Sequence, residues 1–318
     1  MLGHDAAPGE ELDHYRIEDV VARGPVSTIF RAIDLLTNRQ VAIKLPHPEL
    51  ETDPTLADRF RREEEIGETL DHPGIIKAFR NEGSTRPYIV MEWFEGKSLS
   101  EILSAGKLAP ERAVRIAIAI CEALEYIHNH GIVHRDLRPE HILVAADGRI
   151  KLIDFGAAGQ AAGRRITFTN ISQITGGSEY ISPEELKGKR GDARSDIYAV
   201  GIMLYEMVTG RKPFAEPETF GRVLHHPVPP REIDPTISPQ LQEVIYRALE
   251  REPRNRYANA HDFARDLQHL EQVGVADREE LRDWKRRRSS PRTKVALYVA
   301  MALVPIAIFA LIFYFAGH

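Results

Sequence analysis

The chain has 318 residues, of which 43% are hydrophobic and 28% charged, with a formal net charge of −5. That length allows one large two-lobed domain or two small ones, and the composition excludes global disorder. The acidic balance excludes a general nucleic-acid signature, so any electrostatic message is local and no nucleic-acid partner is expected. The one cysteine, Cys121, excludes an internal disulfide framework and fits a reducing compartment. Its apolar helical surroundings predict a buried small hydrophobe.

In chain order, residues 1–14 are polar and acidic and are expected to be a tail. They lack the basic-then-apolar pattern of a signal peptide, and Leu2 in place of Gly removes the myristoylation pattern. Residues 15–21, 28–33 and 41–44 read as strands, with Gly24-Pro25 turning the first into the second. Residues 55–70 are dense in charge, with Phe60, Ile66 and Leu70 as apolar marks, and predict a mostly exposed helix. A short apolar strand is expected at 88–91. An apolar face at helical spacing predicts a long buried helix over 110–130, with further helices at 196–209, 240–250 and 258–270. Strands first and helices later predict an α+β chain with a β-rich lobe over 15–92 and an α-rich lobe over 93–270. No internal repeat is visible.

Residues 271–294 are charged and end in Lys285-Arg286-Arg287-Arg288-Ser289-Ser290-Pro291-Arg292-Thr293-Lys294, the composition of a linker. Residues 295–315 then carry no charge. At about 1.5 Å per residue, a helix of that length matches the ~30 Å hydrocarbon core of a bilayer, so a single transmembrane helix is expected there. Pro305 is tolerable within such a span. A tail of 316–318 would follow. The basic run before the span predicts a membrane localisation with residues 1–294 cytoplasmic and the linker against anionic lipid.

Several short motifs stand in a telling order: the hairpin around Gly24, Val41-Ala42-Ile43-Lys44, an acidic residue on the next helix, His134-Arg135-Asp136, Asp154-Phe155-Gly156 and Ser182-Pro183-Glu184. Each alone is weak, and Val41–Lys44 alone would pass for a buried strand with a snorkelling lysine. Together they resemble the signature set of the protein kinases, over about residues 15–270. The Arg59-Phe60-Arg61-Arg62-Glu63 run and the Ser-Pro-Glu form are most similar to the bacterial, Hanks-type Ser/Thr kinases.

The resemblance implies a two-lobed kinase fold, ATP and protein substrates as partners, and Mg²⁺ or Mn²⁺ as cofactor. It implies that Lys44 neutralises the α- and β-phosphates and that Glu63 holds it; Glu64 and Glu65 are the solvated alternatives. Asp136 would take or orient the substrate hydroxyl proton, Arg138 would contact the γ-phosphate, and Asp154 would hold the metal. The nucleotide site would comprise Ala22, Gly24, Ser27 and Ile29 of the hairpin, Ala42 and Leu143 around adenine, Met91 as gatekeeper, and the hinge backbone at Glu92 and Phe94. Core packing explains Met91 equally well. Glu184 with Arg256, and Asp196 with the catalytic loop, would be structural. Glu140 would favour a basic substrate or be a plain loop charge. Thr169 would be the autophosphorylation site, with Thr167, Ser172 and Thr175 behind it. A homodimer is left open.

Four positions depart from the family pattern. The hairpin keeps one of three glycines, with Ala22 in place of the first and Pro25 removing an amide donor. His141 replaces the Asn that offers an oxygen to the second metal, and its nitrogen suits Mn²⁺ or Zn²⁺ better than Mg²⁺. Gly177 stands where a Thr normally ties the activation segment to the catalytic Asp. Arg138 replaces Lys. The departures leave two readings open, an active kinase with altered metal use and a pseudokinase or nucleotide-binding scaffold. Retention of Lys44, Glu63, Asp136 and Asp154 together favours activity.

Overall fold

The computed structural model describes residues 6–50, 53–81, 83–160, 178–214 and 226–276. Strands Glu11–Leu12 (β1), Tyr15–Arg23 (β2), Ser27–Asp34 (β3), Arg39–Pro46 (β4), Ala78–Phe79 (β5) and Ile89–Glu92 (β6) form one antiparallel sheet, in the order β1-β2-β3-β4-β6-β5. Strand alternation sorts β4 between two cores. Val41, Ile43 and Leu45 join Tyr15, Ile17, Phe30, Tyr88 and Val90 on one face. Ala42 packs with Met91, Ile89 and Phe60 in the cluster on the other. Lys44 shares the parity of Ala42 and is therefore delivered to that second face.

Helix Pro54–Thr69 (α1) lies against this face. Asp53 caps it by accepting from the Thr55 and Leu56 amides, and Pro54 stands in its first turn. It buries Leu56, Phe60, Glu63 and Gly67, which recur at helical spacing. Burying a side chain such as Phe60 contributes about 2 kcal/mol. A Cβ at Gly67 would stand 2.6 Å from the Ala78 Cβ, so glycine sets how closely α1 approaches β5. The helix is thus less exposed than its charge density predicts.

Beyond the sheet come helices Leu99–Ser104 (α2), Pro110–Asn129 (α3), Pro183–Leu186 (α4), Ala193–Thr209 (α5), Pro230–Ile233 (α6), Pro239–Ala248 (α7) and Ala260–Gln268 (α8). The α3 face predicted from periodicity is real: Ala113, Ile116, Ala117, Ile120, Cys121, Leu124 and Ile127 are buried. It packs against α5 and α8. Helix α5 is buried nearly all round, and Gly210 ends it in the left-handed conformation at φ 68°. Cys121 is buried as expected, and burial pushes its thiol well above the ordinary range. Short strands Lys97–Ser98 (β7), Ile142–Val144 (β9) and Ile150–Leu152 (β10) form a second sheet, while Ile132–Val133 (β8) pairs with Gly159–Gln160 (β11).

Two boundaries move. The sheet begins at Glu11, where β1 pairs with β2, so part of the predicted tail belongs to the β-rich lobe. At the other end, Leu270 and Val273 pack on the core, and the compact unit runs to Gly274, past the predicted boundary at 270. Among the described residues, no helix is long and apolar enough to cross a membrane. The predicted span at 295–315 and the basic run 285–294 lie outside the described residues.

Candidate active site

Residues from β4, α1 and the segment after β10 converge on one charge cluster. Lys44, near the end of β4, places its Nζ 2.8 and 2.6 Å from the two carboxylate oxygens of Glu63 on α1. The same ammonium stands 3.4 Å from Asp154 Oδ2 and 5.5 Å from the Phe60 ring centroid. Lys44 and Glu63 are both buried. Burial alone would lower the Lys44 pKa, but the Asp154 and Glu63 carboxylates raise it above its ordinary value. Burial pushes the Glu63 carboxyl upward, the opposite tendency for an ion pair. Two short contacts to one ammonium favour the ionised pair. For Asp154, burial would raise the pKa, yet the Lys44 ammonium above all holds it far below the carboxylate range.

Sequence reasoning gave Arg59 and Arg62 no role at this site. The Arg62 guanidinium donates to the Gly156 carbonyl at 3.1 Å, tying α1 to the Asp-Phe-Gly turn. Adjacency to Glu63 gave no signal for this, because neighbouring helical residues point about 100° apart.

The catalytic loop is held in an uncommon backbone conformation. Arg135 and Asp154 adopt φ of 64° and 65°, left-handed for non-glycine residues. Such positions cost about 1–3 kcal/mol and persist only when their surroundings fix them. Asp196 does so for Arg135. It accepts from the His134 and Arg135 amides at 2.9 Å each and pairs with His128 Nε2 at 2.8 Å. Burial would raise the Asp196 carboxyl, but these partners draw it below its ordinary range. His134 is fully buried, 5.0 Å from the Phe155 ring centroid, and burial lowers its pKa.

His141 precedes β9 and lies between the carboxylates of Asp136 and Asp154, 3.7 and 3.6 Å from its two ring nitrogens. Its Nδ1 is 2.6 Å from the Asp136 carbonyl oxygen, and its Nε2 is 3.6 Å from Asp154 Oδ2. A carbonyl only accepts, so Nδ1 carries the proton. Among the described residues no group of three or more His, Cys, Asp or Glu is placed to hold a metal.

The nucleotide-site expectations meet mixed geometry. Ala42 on β4 stands opposite Met91 on β6, and Leu143 stands on β9. Ala22 pairs with Ile29 across the hairpin, and Ser27 is buried. The Gly24 amide donates to the Ser27 carbonyl at 2.9 Å, so it serves the turn in this structure. Phe94 is half-buried with the Arg149 guanidinium 5.9 Å from its ring centroid. The Glu92 carboxylate accepts from the Lys77 amide at 2.9 Å and pairs with Lys151, joining β6 to β10. Arg138, expected at the γ-phosphate, meets a loop neighbour here. Its Nε donates to Glu140 at 2.8 Å, so in this structure it is directed to a neighbour two residues on. The same contact engages Glu140 within its own loop.

The structural pair is as predicted. Arg256 meets Glu184 through two bonds of 2.7 and 2.6 Å, and Ser195 donates to Glu184 at 2.7 Å. Thr167, Thr169, Ser172, Thr175 and Gly177 lie outside the described residues.

A sheet-rich lobe and a helical lobe, with a lysine–glutamate pair beside a carboxylate and a braced catalytic loop, define the protein kinase class. The family model for the protein kinase domain matches residues 15–269, and the chain belongs to this family. It is 36% identical to the serine/threonine-protein kinase PknB of Mycolicibacterium smegmatis, over 82% of this chain and 43% of that protein. It is 35% identical to PknB of Mycobacterium tuberculosis, with the same two coverages. The chain thus spans less than half the length of these relatives. The crystal structure of the Mycobacterium tuberculosis PknI kinase domain has the same fold, with a TM-score of 0.67 at 23% identity, covering 85% of this chain and all of that one.

Proposed function

We propose that the chain is an ATP-dependent Ser/Thr protein kinase that phosphorylates protein substrates and itself, working from a membrane. The observation that carries this reading is the Lys44–Glu63 pair closed at 2.6 Å with Asp154 beside it. Lys44 neutralises the α- and β-phosphates. Asp136 takes the hydroxyl proton as the Ser or Thr oxygen bonds to the γ-phosphorus and the bond to the β-bridging oxygen breaks, releasing ADP. Asp154 and His141 would hold a divalent cation, Mg²⁺ or Mn²⁺, which would offset charge on the phosphate oxygens. A pseudokinase would have no chemical use for this joined set together with Asp136, and that reading is not favoured.

The test uses the full chain in detergent with radiolabelled ATP and divalent metal, beside Asp154→Ala. Label should enter protein only with the wild-type chain; equal label on both would contradict the reading. Thr169 is the proposed autophosphorylation site, with Arg135 as the partner of its phosphate. Mass spectrometry that finds phosphate elsewhere and none at Thr169 would remove the site alone.

Support for membrane attachment is the uncharged run 295–315 behind Lys285, Arg286, Arg287, Arg288, Arg292 and Lys294. The asymmetry favours a cytoplasmic kinase domain. Each basic residue adds about 1 kcal/mol of attraction to anionic lipid near the surface. A reporter fused after His318 that is active only in the cytoplasm would overturn this topology.

A further inference from the structure

We propose that Lys212 is a specificity-determining residue: its ammonium fills, from within the chain, the place beside Glu179 and Tyr180 that a basic substrate side chain would otherwise take. The proposal rests on the kinase reading above and concerns the residues that flank the acceptor hydroxyl. Three glutamates gather around Tyr180, which ends the turn Ser178–Tyr180 just ahead of α4. Burial raises the Tyr180 phenol far above its ordinary range, and the Glu206, Glu140 and Glu179 carboxylates push it the same way. Glu206 reaches it from α5 and accepts from the Tyr180 hydroxyl at 2.5 Å. Glu140 reaches it from the catalytic loop. Arg138 joins the cluster to the catalytic base, since it follows Asp136 by two residues and donates to Glu140 at 2.8 Å. At about 3.3 Å per residue, an extended substrate with its hydroxyl at Asp136 carries some of its neighbouring side chains past this cluster. Three carboxylates alone would draw a lysine or arginine there.

Each carboxylate already has a partner from the chain itself. Lys212 stands two residues past Gly210, the left-handed end of α5. Its Nζ pairs with Glu179 and lies 5.7 Å from the Tyr180 ring centroid. Burial raises the Glu206 carboxyl, and Tyr180 and Lys212 draw it back. Glu140 is held by Arg138, with the Ser100 hydroxyl 3.4 Å from its other oxygen. Of the two cations, Lys212 is the one a substrate would meet, because its side chain is 34% exposed and that of Arg138 only 11%. An incoming ammonium or guanidinium must displace Lys212 from Glu179 and is repelled while Lys212 stays. The chain tethers Lys212, so it competes at a local concentration that a dilute peptide does not match. The subsite therefore favours a neutral or acidic residue, where the glutamates alone would favour a basic one.

The full chain in detergent, with ATP and divalent metal, is given a positional-scanning set of peptides, each with one Ser or Thr acceptor and one flanking position varied. The quantity read is kcat/KM for arginine over alanine at each position. Because the ratio is taken within each variant, a general loss of activity cancels. Lys212→Met keeps the length of the side chain and removes its charge, and should raise the ratio at one position by about fivefold over wild type, the size of a partly exposed ion pair. Lys212→Arg should keep the wild-type profile, and adding Glu179→Gln to Lys212→Met should abolish the gain. An unchanged profile in Lys212→Met would overturn the proposal and leave the kinase reading standing. So would a wild-type chain that already favours arginine at the position where the variant does. If wild type labels neither peptide nor itself, the kinase reading fails and the proposal fails with it.

Discussion

Two of the buried ion pairs among the described residues are built to opposite ends. Arg256 and Glu184 in the helical lobe are saturated. Besides the two bonds between them, the guanidinium donates to the Glu250, Arg194 and Arg251 carbonyls and lies 4.7 Å from the Tyr198 ring centroid. Ser195 completes the Glu184 side. Lys44 and Glu63 have two bonds to each other, and the ammonium faces a second carboxylate, Asp154. A point-charge ammonium beside an excess of negative charge is suited to receive metal and phosphate together, whereas a planar guanidinium with every edge occupied is suited to hold a fold. Burial alone does not separate the two pairs. What surrounds the cation does.

Breaking the saturated pair should have the largest effect on stability. Arg256→Met strands a buried carboxylate and three carbonyls, and should destabilise the chain by about 3–5 kcal/mol in urea unfolding. Lys44→Met should reduce phosphotransfer by at least about a hundredfold, of order 3 kcal/mol in the barrier. Its effect on unfolding should be smaller than that of Arg256→Met, because burial already raises Glu63 and lets it take a proton. Similar unfolding losses for the two variants would erase the contrast.

Acid should sharpen it. The Glu184 carboxyl would be raised by burial, but Arg256 and Ser195 bring it below its ordinary value. A depressed carboxylate contributes stability that is present above its unfolded pKa of about 4 and drains away as pH falls through the folded value. The helical lobe should therefore lose stability below about pH 4, and Glu184→Gln should flatten that slope. Glu185 runs the opposite way. Burial pushes its carboxyl up to about 7, against the Ser182 contacts. The folded state then holds a proton that the unfolded chain has lost, so this residue's contribution falls as pH rises from about 4.5 to 7. Glu185→Gln should gain about 1–3 kcal/mol at pH 8 and little at pH 4, read by thermal unfolding across pH. The smallest effect is expected at the α1 cap. Asp53→Ala should cost about 1 kcal/mol, and should loosen the helix that presents Glu63.

Much of this was legible in the sequence, for physical reasons that differ by element. The face of α3 was readable because eight buried positions recur at helical spacing over five turns or so. The convergence of Lys44, Glu63 and Asp154 was readable through motif order, which chemistry constrains. Helix α1 was misread as mostly exposed because its buried stripe of Leu56, Phe60, Glu63 and Gly67 mixes a charge and a glycine with two apolar residues. That mixture was itself the signal that Glu63 has a buried cationic partner. The pairing of Arg138 with Glu140 was not readable, since it depends on which rotamers two adjacent loop side chains adopt. Strand β1, two residues long, has no periodicity to read.

The central claim is that the Lys44, Glu63 and Asp154 cluster serves phosphate transfer and the Arg256, Glu184 pair serves the fold. The most direct measurement is single-turnover phosphotransfer by folded Lys44→Met at saturating ATP and metal, beside wild type. The account predicts rapid transfer by wild type and loss of at least about a hundredfold in the variant, with its unfolding transition retained. Wild-type transfer that survives Lys44→Met undiminished, or a folded wild-type chain that binds ATP and transfers nothing, would contradict it.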